Sequence, residues 1–193
     1  MILLISGSGI PASRTLALVA AAGDAIARCG TRCEVWDLAD RPLPAADGRH
    51  HEAPESHPDP LVRELVRTAR EASGFVLASP VHHNSYSGLI KNCLDHLAIE
   101  HFEYKPVALM AFGGSMAAIQ VCDHLRIVVR GLWGIALPGQ AVAVPSDFEE
   151  APGGDVTVAA GPLRQRLDLL ARDLVRYAKV ADALVGANGR ARR

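Results

Sequence analysis

Residues 5 to 15 read I-S-G-S-G-I-P-A-S-R-T. Five apolar residues, Met1 to Ile5, stand before Ser6, and an alanine-rich stretch of helical periodicity follows Thr15. A short buried strand thus runs into a turn of glycines, hydroxyls and one arginine, and the turn opens a helix. Backbone N–H groups at a helix start attract anions, so this strand–turn–helix is the profile of a phosphate cradle. A triphosphate loop would place a lysine and a Ser or Thr after its second glycine, and this loop has no lysine. The stretch Gly7-Ser8-Gly9-Ile10-Pro11-Ala12 matches G-x-G-x-x-A, and Asp37 stands where a ribose-binding acid would serve a dinucleotide dehydrogenase. A terminal phosphate monoester makes a different demand, for hydroxyls and a cation beside the helix amides. Ser8, Ser13 and Thr15 supply the hydroxyls and Arg14 the cation, which favours the monoester.

Working outward, Ile2 to Ser6 reads as strand one and Ser13 to Arg28 as a helix that Gly30 stops. Arg32 to Leu38 alternates as a second strand. Ala39 to Pro60 holds five prolines and three histidines and reads as a surface loop. Asp59 caps a helix through Leu61, Leu65, Val66 and Ala69. Phe75 to Ser79, after Gly74, forms a third strand and Ser87 to Leu97 a helix. Pro106 to Phe112 is a fourth strand, Met116 to Leu132 a helix, Gln140 to Val144 a fifth strand, and Pro162 to Val185 a long amphipathic helix. Five continuously apolar strands alternating with helices call for a parallel sheet covered on both faces, a three-layer α/β sandwich. Ligands of such sheets sit beyond the carboxyl ends of the strands. Residues 1–185 read as one domain and the arginine-bearing tail, 186–193, as frayed.

The bulk numbers fit a globular protein of 193 residues, 49% apolar and 21% charged. A net charge of −1 gives nucleic acid and anionic membranes no attraction. No apolar run approaches the ~20 residues of a membrane helix, and the expected location is the cytoplasm. Cys29, Cys33, Cys93 and Cys122 read as small apolar filler, and His50, His51 and His57 as solvated loop residues. Trp133 reads as core, and Lys91 with Asp95 as an i, i+4 ion pair. No metal site is expected.

Two further stretches leave strand ends. Ser79 to Leu97 reads S-P-V-H-H-N-S-Y-S-G-L-I-K-N-C-L-D-H-L, and Phe112 to Ser115 reads F-G-G-S. The first is a polar turn able to lay its backbone along a flat heterocycle. The second carries glycines that admit a ring close to the main chain. A phosphate at the first loop and a ring at the other two describe flavin mononucleotide (FMN).

The chain resembles the NADPH-dependent FMN reductase family of flavodoxin-like proteins. The resemblance covers nearly all of residues 1 to about 145. Members carry G-S-x(3–5)-S, matched by Gly7-Ser8 to Ser13. They carry S-P-x-Y-x-x-S-x-S-G-x-L-K-N-x-L-D, which Ser79 to Asp95 follows with His82 at the tyrosine place. They carry a G-G turn after strand four, matched by Gly113-Gly114-Ser115. The resemblance implies the strand order 2-1-3-4-5. It implies phosphate binding by Ser8, Ser13, Arg14 and Thr15, and isoalloxazine binding by Pro80, Val81, His82, His83, Asn84, Gly113, Gly114 and Ser115. No catalytic side chain is expected, because the flavin performs the chemistry. FMN and NADPH or NADH are the expected cofactors. The expected partners are a small electron acceptor, or a monooxygenase fed with free flavin, and a second copy of the chain in a homodimer or homotetramer. The rivals are a Rossmann dehydrogenase and a non-enzymatic flavodoxin-type carrier.

Overall fold

The computed structural model describes residues 1–188. Its centre is a five-stranded sheet built from β1 (Ile2–Ser6), β2 (Cys33–Asp37), β3 (Gly74–Pro80), β4 (Pro106–Phe112) and β5 (Ile135–Ala143), in the order β2-β1-β3-β4-β5. All four pairings are parallel. This is the flavodoxin order, and it differs from the 3-2-1-4-5-6 order of a Rossmann dehydrogenase.

Helices cover both faces. α1 (Arg14–Arg28) and α6 (Pro162–Asn188) close one apolar layer, where Leu4, Val76 and Met110 meet Leu18, Leu167 and Leu174. α2 (Pro60–Glu71), α3 (Gly88–Asp95), the short α4 (Ile99–Phe102) and α5 (Ile119–Gly131) close the other, where Leu3, Phe75 and Leu109 meet Leu65, Leu94, Phe102 and Leu125. Ser13 caps α1 by accepting from Leu16 N–H, and Asp59 caps α2 by accepting from Leu61 N–H. Gly30, beyond the Cys29 C-cap of α1, takes φ +77°, which glycine adopts without strain.

Several boundaries differ from the sequence reading. β5 begins at Ile135 rather than Gln140, and Leu137 to Gly139 form an irregularity between the pairs Val107–Ala136 and Leu109–Gln140. Pro138 is tolerated there on an edge strand, and Pro-Gly had read as a break. The helix expected from Met116 opens with a single 3₁₀ turn, Met116–Ala118, before α5. A hairpin of β6 (Phe148–Glu150) and β7 (Val156–Val158) stands where no strands were expected. α6 reaches Asn188, and the rest of the expected tail lies outside the described residues.

Some side chains also fall elsewhere. Trp133 is exposed rather than core, with a left-handed backbone at φ +61°. His57 is buried rather than solvated, its ring edge-on to His50 at 4.9 Å and to His96 at 5.3 Å. Lys91 and Asp95 do pair, at 2.5 Å. The cysteines are free thiols, and burial pushes those of Cys93 and Cys122 up to about 12, too high for either to act as a nucleophile near neutrality.

Candidate functional site: a cleft at the carboxyl edge of the sheet

β1, β3 and β4 end side by side, with Ser6 beside Ala78 and Pro80 beside Phe112. The loops that leave these ends surround a cleft of about 500 Å³. Ser8, Ser13, Arg14, Thr15, Pro80 and His82 line it, together with Gly9, Ile10, Ala12, Leu89, Phe112 and Val156.

The first loop is packed against α3. A Cβ at Gly7 would lie 2.9 Å from Ile90 Cβ and 3.0 Å from Ala78 O, so no other residue fits without displacing the helix. Ser87 ties this contact together. Its hydroxyl donates to Gly7 O at 2.6 Å and accepts from Ile90 N–H at 3.2 Å as the cap of α3. Ser79 completes the knot, accepting from Ser87 N–H at 2.8 Å and donating to Pro80 O at 2.9 Å. The serines of the long motif therefore fix the loops to one another, a structural role that residue type alone does not reveal.

The hydroxyls keep a donor to spare. Ser8 Oγ accepts from Ile10 N–H at 3.1 Å, and Ser13 Oγ accepts from Leu16 N–H at 3.1 Å. Each leaves its own O–H free to donate to an anion. Arg14 is the first residue of α1, where a helix leaves N–H groups without intrahelical acceptors. Its Nη2 is paired with Glu150, while its Nε is buried with no hydrogen-bond partner. A buried, unpartnered Nε beside spare hydroxyls at a helix start is a donor set suited to a phosphate monoester.

The second loop makes a tight turn. His82 N–H donates to Ser85 O at 2.8 Å and Ser85 N–H to His82 O at 3.0 Å. His83 and Asn84 occupy the two left-handed positions at φ +48° and +62°. Two positive φ values make a type I′ turn, to which asparagine is well suited. His124 Nδ1 braces the turn from α5, 3.0 Å from Ser85 Oγ. Val81, His83 and Asn84 stand beside the cleft but do not line it.

The third loop, Gly113 to Ser115, also borders the cleft without lining it. A Cβ at Gly113 would sit 2.7 Å from Ala118 Cβ and 2.8 Å from Val81 Cγ1, so this glycine lets the second and third loops touch. Ser115 Oγ accepts from Ala117 N–H at 3.3 Å.

The sequence reading missed Phe112, Leu89 and the hairpin. Phe112 stacks edge-on against Phe148 at 5.5 Å, and Arg14 lies over its ring at 6.0 Å. The sequence offered little signal for the hairpin: V-T-V beyond the Pro-Gly turn A-P-G-G-D is β-prone, but F-E-E is not, because glutamate is depleted in strands. Among the described residues no cluster of three His, Cys, Asp or Glu could hold a metal ion, and no helix is long and apolar enough to cross a membrane.

The strand order and the donor-lined cleft after β1 define a flavodoxin-like α/β protein. Residues 1–149 match the model of the NADPH-dependent FMN reductase family, and the chain belongs to that family. It is 37% identical over 147 residues to an FMN-dependent NADPH-azoreductase of Staphylococcus saprophyticus, covering 76% of this chain and 78% of the relative. It is 31% identical over 175 residues to an FMN-dependent NADPH-azoreductase of Staphylococcus aureus, covering 91% and 93%. An oxidoreductase of Corynebacterium diphtheriae shares the fold, with a TM-score of 0.68 at 21% identity over 92% of this chain and 95% of that one.

Proposed function

We propose that the protein is an FMN-dependent NAD(P)H oxidoreductase that delivers electrons to a small acceptor, an azo compound, a quinone or free flavin. The observation that carries the reading is the cradle at the start of α1, where Ser8, Ser13 and Thr15 surround an Arg14 with a buried, unpartnered Nε. When bound, FMN supplies the redox chemistry, taking reducing equivalents from the nicotinamide and handing them to the acceptor.

The chain's own residues bind and orient. Ser8, Ser13, Thr15 and Arg14 hold the terminal phosphate. Pro80 to Asn84 and Gly113 to Ser115 hold the ring system, with His82 facing the cleft where relatives place a tyrosine. Alignment of nicotinamide and ring then contributes most of the rate effect, so rigid loops matter more than a proton-transferring side chain. The Ser79–Ser87–Gly7 knot supplies that rigidity.

The strand order speaks against the dehydrogenase, and membership of the reductase family speaks against the carrier. The azo acceptor is supported by the relatives' named activity. We also infer a cytoplasmic protein that forms a homodimer or homotetramer through α3 and the segment after it. Ile90, Leu94 and Leu97 are buried within the fold, so Leu89 and Ile99, each 41% exposed, carry the apolar contact. Light scattering at micromolar concentration tests this, and a monomer with FMN bound rejects it.

The activity is tested by recording the visible spectrum of the purified protein, then its anaerobic bleaching by NADPH and by NADH. An acceptor panel of an azo dye, a benzoquinone and free FMN follows. Bleaching with reoxidation by one of these supports the reading, and a protein that binds no flavin rejects it.

A further inference from the structure

Arg14 belongs to two structures at once. It lines the cleft, and it is held by the β6–β7 hairpin. Nε and Nη2 share one edge of the guanidinium, and such an edge offers two parallel donors to a facing oxyanion. Glu150 Oε1 takes Nη2, while Nε remains buried without a partner. The carboxylate thus half-fills a site that three phosphate oxygens could fill completely.

The hairpin is fastened at its base and free at its tip. Phe148 packs on Phe112, Val158 is buried under α1 and α6, and Ala159 N–H donates to Asp147 O at 2.8 Å. Ala151 to Asp155 form an exposed turn. Glu150 stands at the junction with its side chain 57% exposed, so its carboxylate can leave Arg14 without disturbing the core. The family's matched segment ends at residue 149, just before it.

We propose that Glu150 sets the phosphate affinity of the cradle, as an internal anion that holds Arg14 until a terminal phosphate displaces it. The proposal rests on the reading of the cleft as a mononucleotide site. A phosphate monoester near neutral pH carries close to two negative charges against one on the carboxylate, and it can engage both donors of the edge. FMN must displace Glu150, whereas riboflavin, without a phosphate, need not. The carboxylate therefore weakens FMN selectively and moves the flavin toward exchange with free solution.

The test is quenching of flavin fluorescence at low ionic strength, with FMN and riboflavin, on wild type, Glu150→Gln, Glu149→Gln, Arg14→Gln and the double variant Arg14→Gln/Glu150→Gln. An exposed ion pair is a weak competitor, so Glu150→Gln should tighten FMN about two- to fivefold. Riboflavin should not change. Glu149 has the same charge, lies next along the strand and pairs with no cation among the described residues. Glu149→Gln should therefore do less, and the gain from Glu150→Gln should vanish once Arg14 is gone. Three results overturn the proposal: weaker or unchanged FMN binding in Glu150→Gln, an equal gain in Glu149→Gln, or a gain that survives in the double variant. Arg14→Gln with an unaltered ratio of FMN to riboflavin affinity is a separate failure, and it rejects the mononucleotide reading itself.

Discussion

At the residue scale, Arg14 offers the cleft one edge of a guanidinium with a buried Nε. Arg14→Ala removes a charge-assisted contact and should weaken FMN by roughly 1.5–3 kcal/mol while leaving riboflavin nearly unaffected. Titration of both flavins checks this, and equal losses would place the phosphate elsewhere. Gly113 is tested through stability. A methyl there would press on Ala118 and Val81 at 2.7–2.8 Å, so Gly113→Ala should lower the unfolding free energy by about 1–3 kcal/mol, read by urea denaturation. Both residues stand out in the sequence, because an arginine among hydroxyls and a glycine pair after a strand each break the local pattern. Glu150 does not. It meets Arg14 across 136 positions, and its own surroundings are only those of an exposed acid in a turn-rich stretch.

At the element scale, α3 is held to the first loop through Ser87. Ser87→Ala deletes the cap on Ile90 N–H and leaves the buried Gly7 O without its donor. Loss of a cap together with an unmade buried hydrogen bond should cost about 1–3 kcal/mol of stability. Because Gly7 leads into the cradle, FMN affinity should fall as well, although Ser87 does not line the cleft. Loss of stability with full flavin affinity would show that the knot only holds the fold. The strands were legible because a parallel sheet buried on both faces demands unbroken apolar runs, which Ile2–Ser6 and Pro106–Phe112 supply. The start of β5 and the hairpin were not. Pro138-Gly139 and Pro152-Gly153 signal turns locally, and in the first case pairing with β4 overrides that signal. The hairpin is fixed by Phe148 reaching Phe112, a tertiary contact that no local pattern displays.

At the scale of the whole molecule, two histidines that folding removes from water should contribute to the acid limb of stability. His101 is fully buried in α4, its Nδ1 accepting from Ala98 N–H at 3.0 Å and its Nε2 unpartnered. Burial lowers its pKa from 6.5, only partly offset by the Ala98 carbonyl, which lies 3.2 Å from Nδ1 and would accept from the protonated ring, and by Glu100. His57 is lowered in the same direction, first by burial and then by the neighbouring His96 and His50. Well above pH 6.5 both groups are neutral in the folded and unfolded chains, and stability depends little on them. Below it the unfolded chain takes up protons that the folded chain refuses, so stability falls as pH drops, by at most about 1.4 kcal/mol per pH unit for each group. Asp47, pushed down to about 2 chiefly by its hydrogen bonds from Arg49, acts only below the ordinary carboxylate range and leaves this window clear. Urea denaturation at pH 7.5, 6.5 and 5.5 should therefore show a shallow upper limb and a steeper lower one. His101→Asn keeps an acceptor near the Nδ1 position for Ala98 N–H and cannot titrate. It should be less stable than wild type at pH 7.5, because a smaller side chain leaves a cavity. Its stability should nonetheless decline less between pH 6.5 and 5.5. A variant that loses stability along the same slope as wild type would mean that His101 protonates freely within the fold, and that the acid sensitivity arises elsewhere.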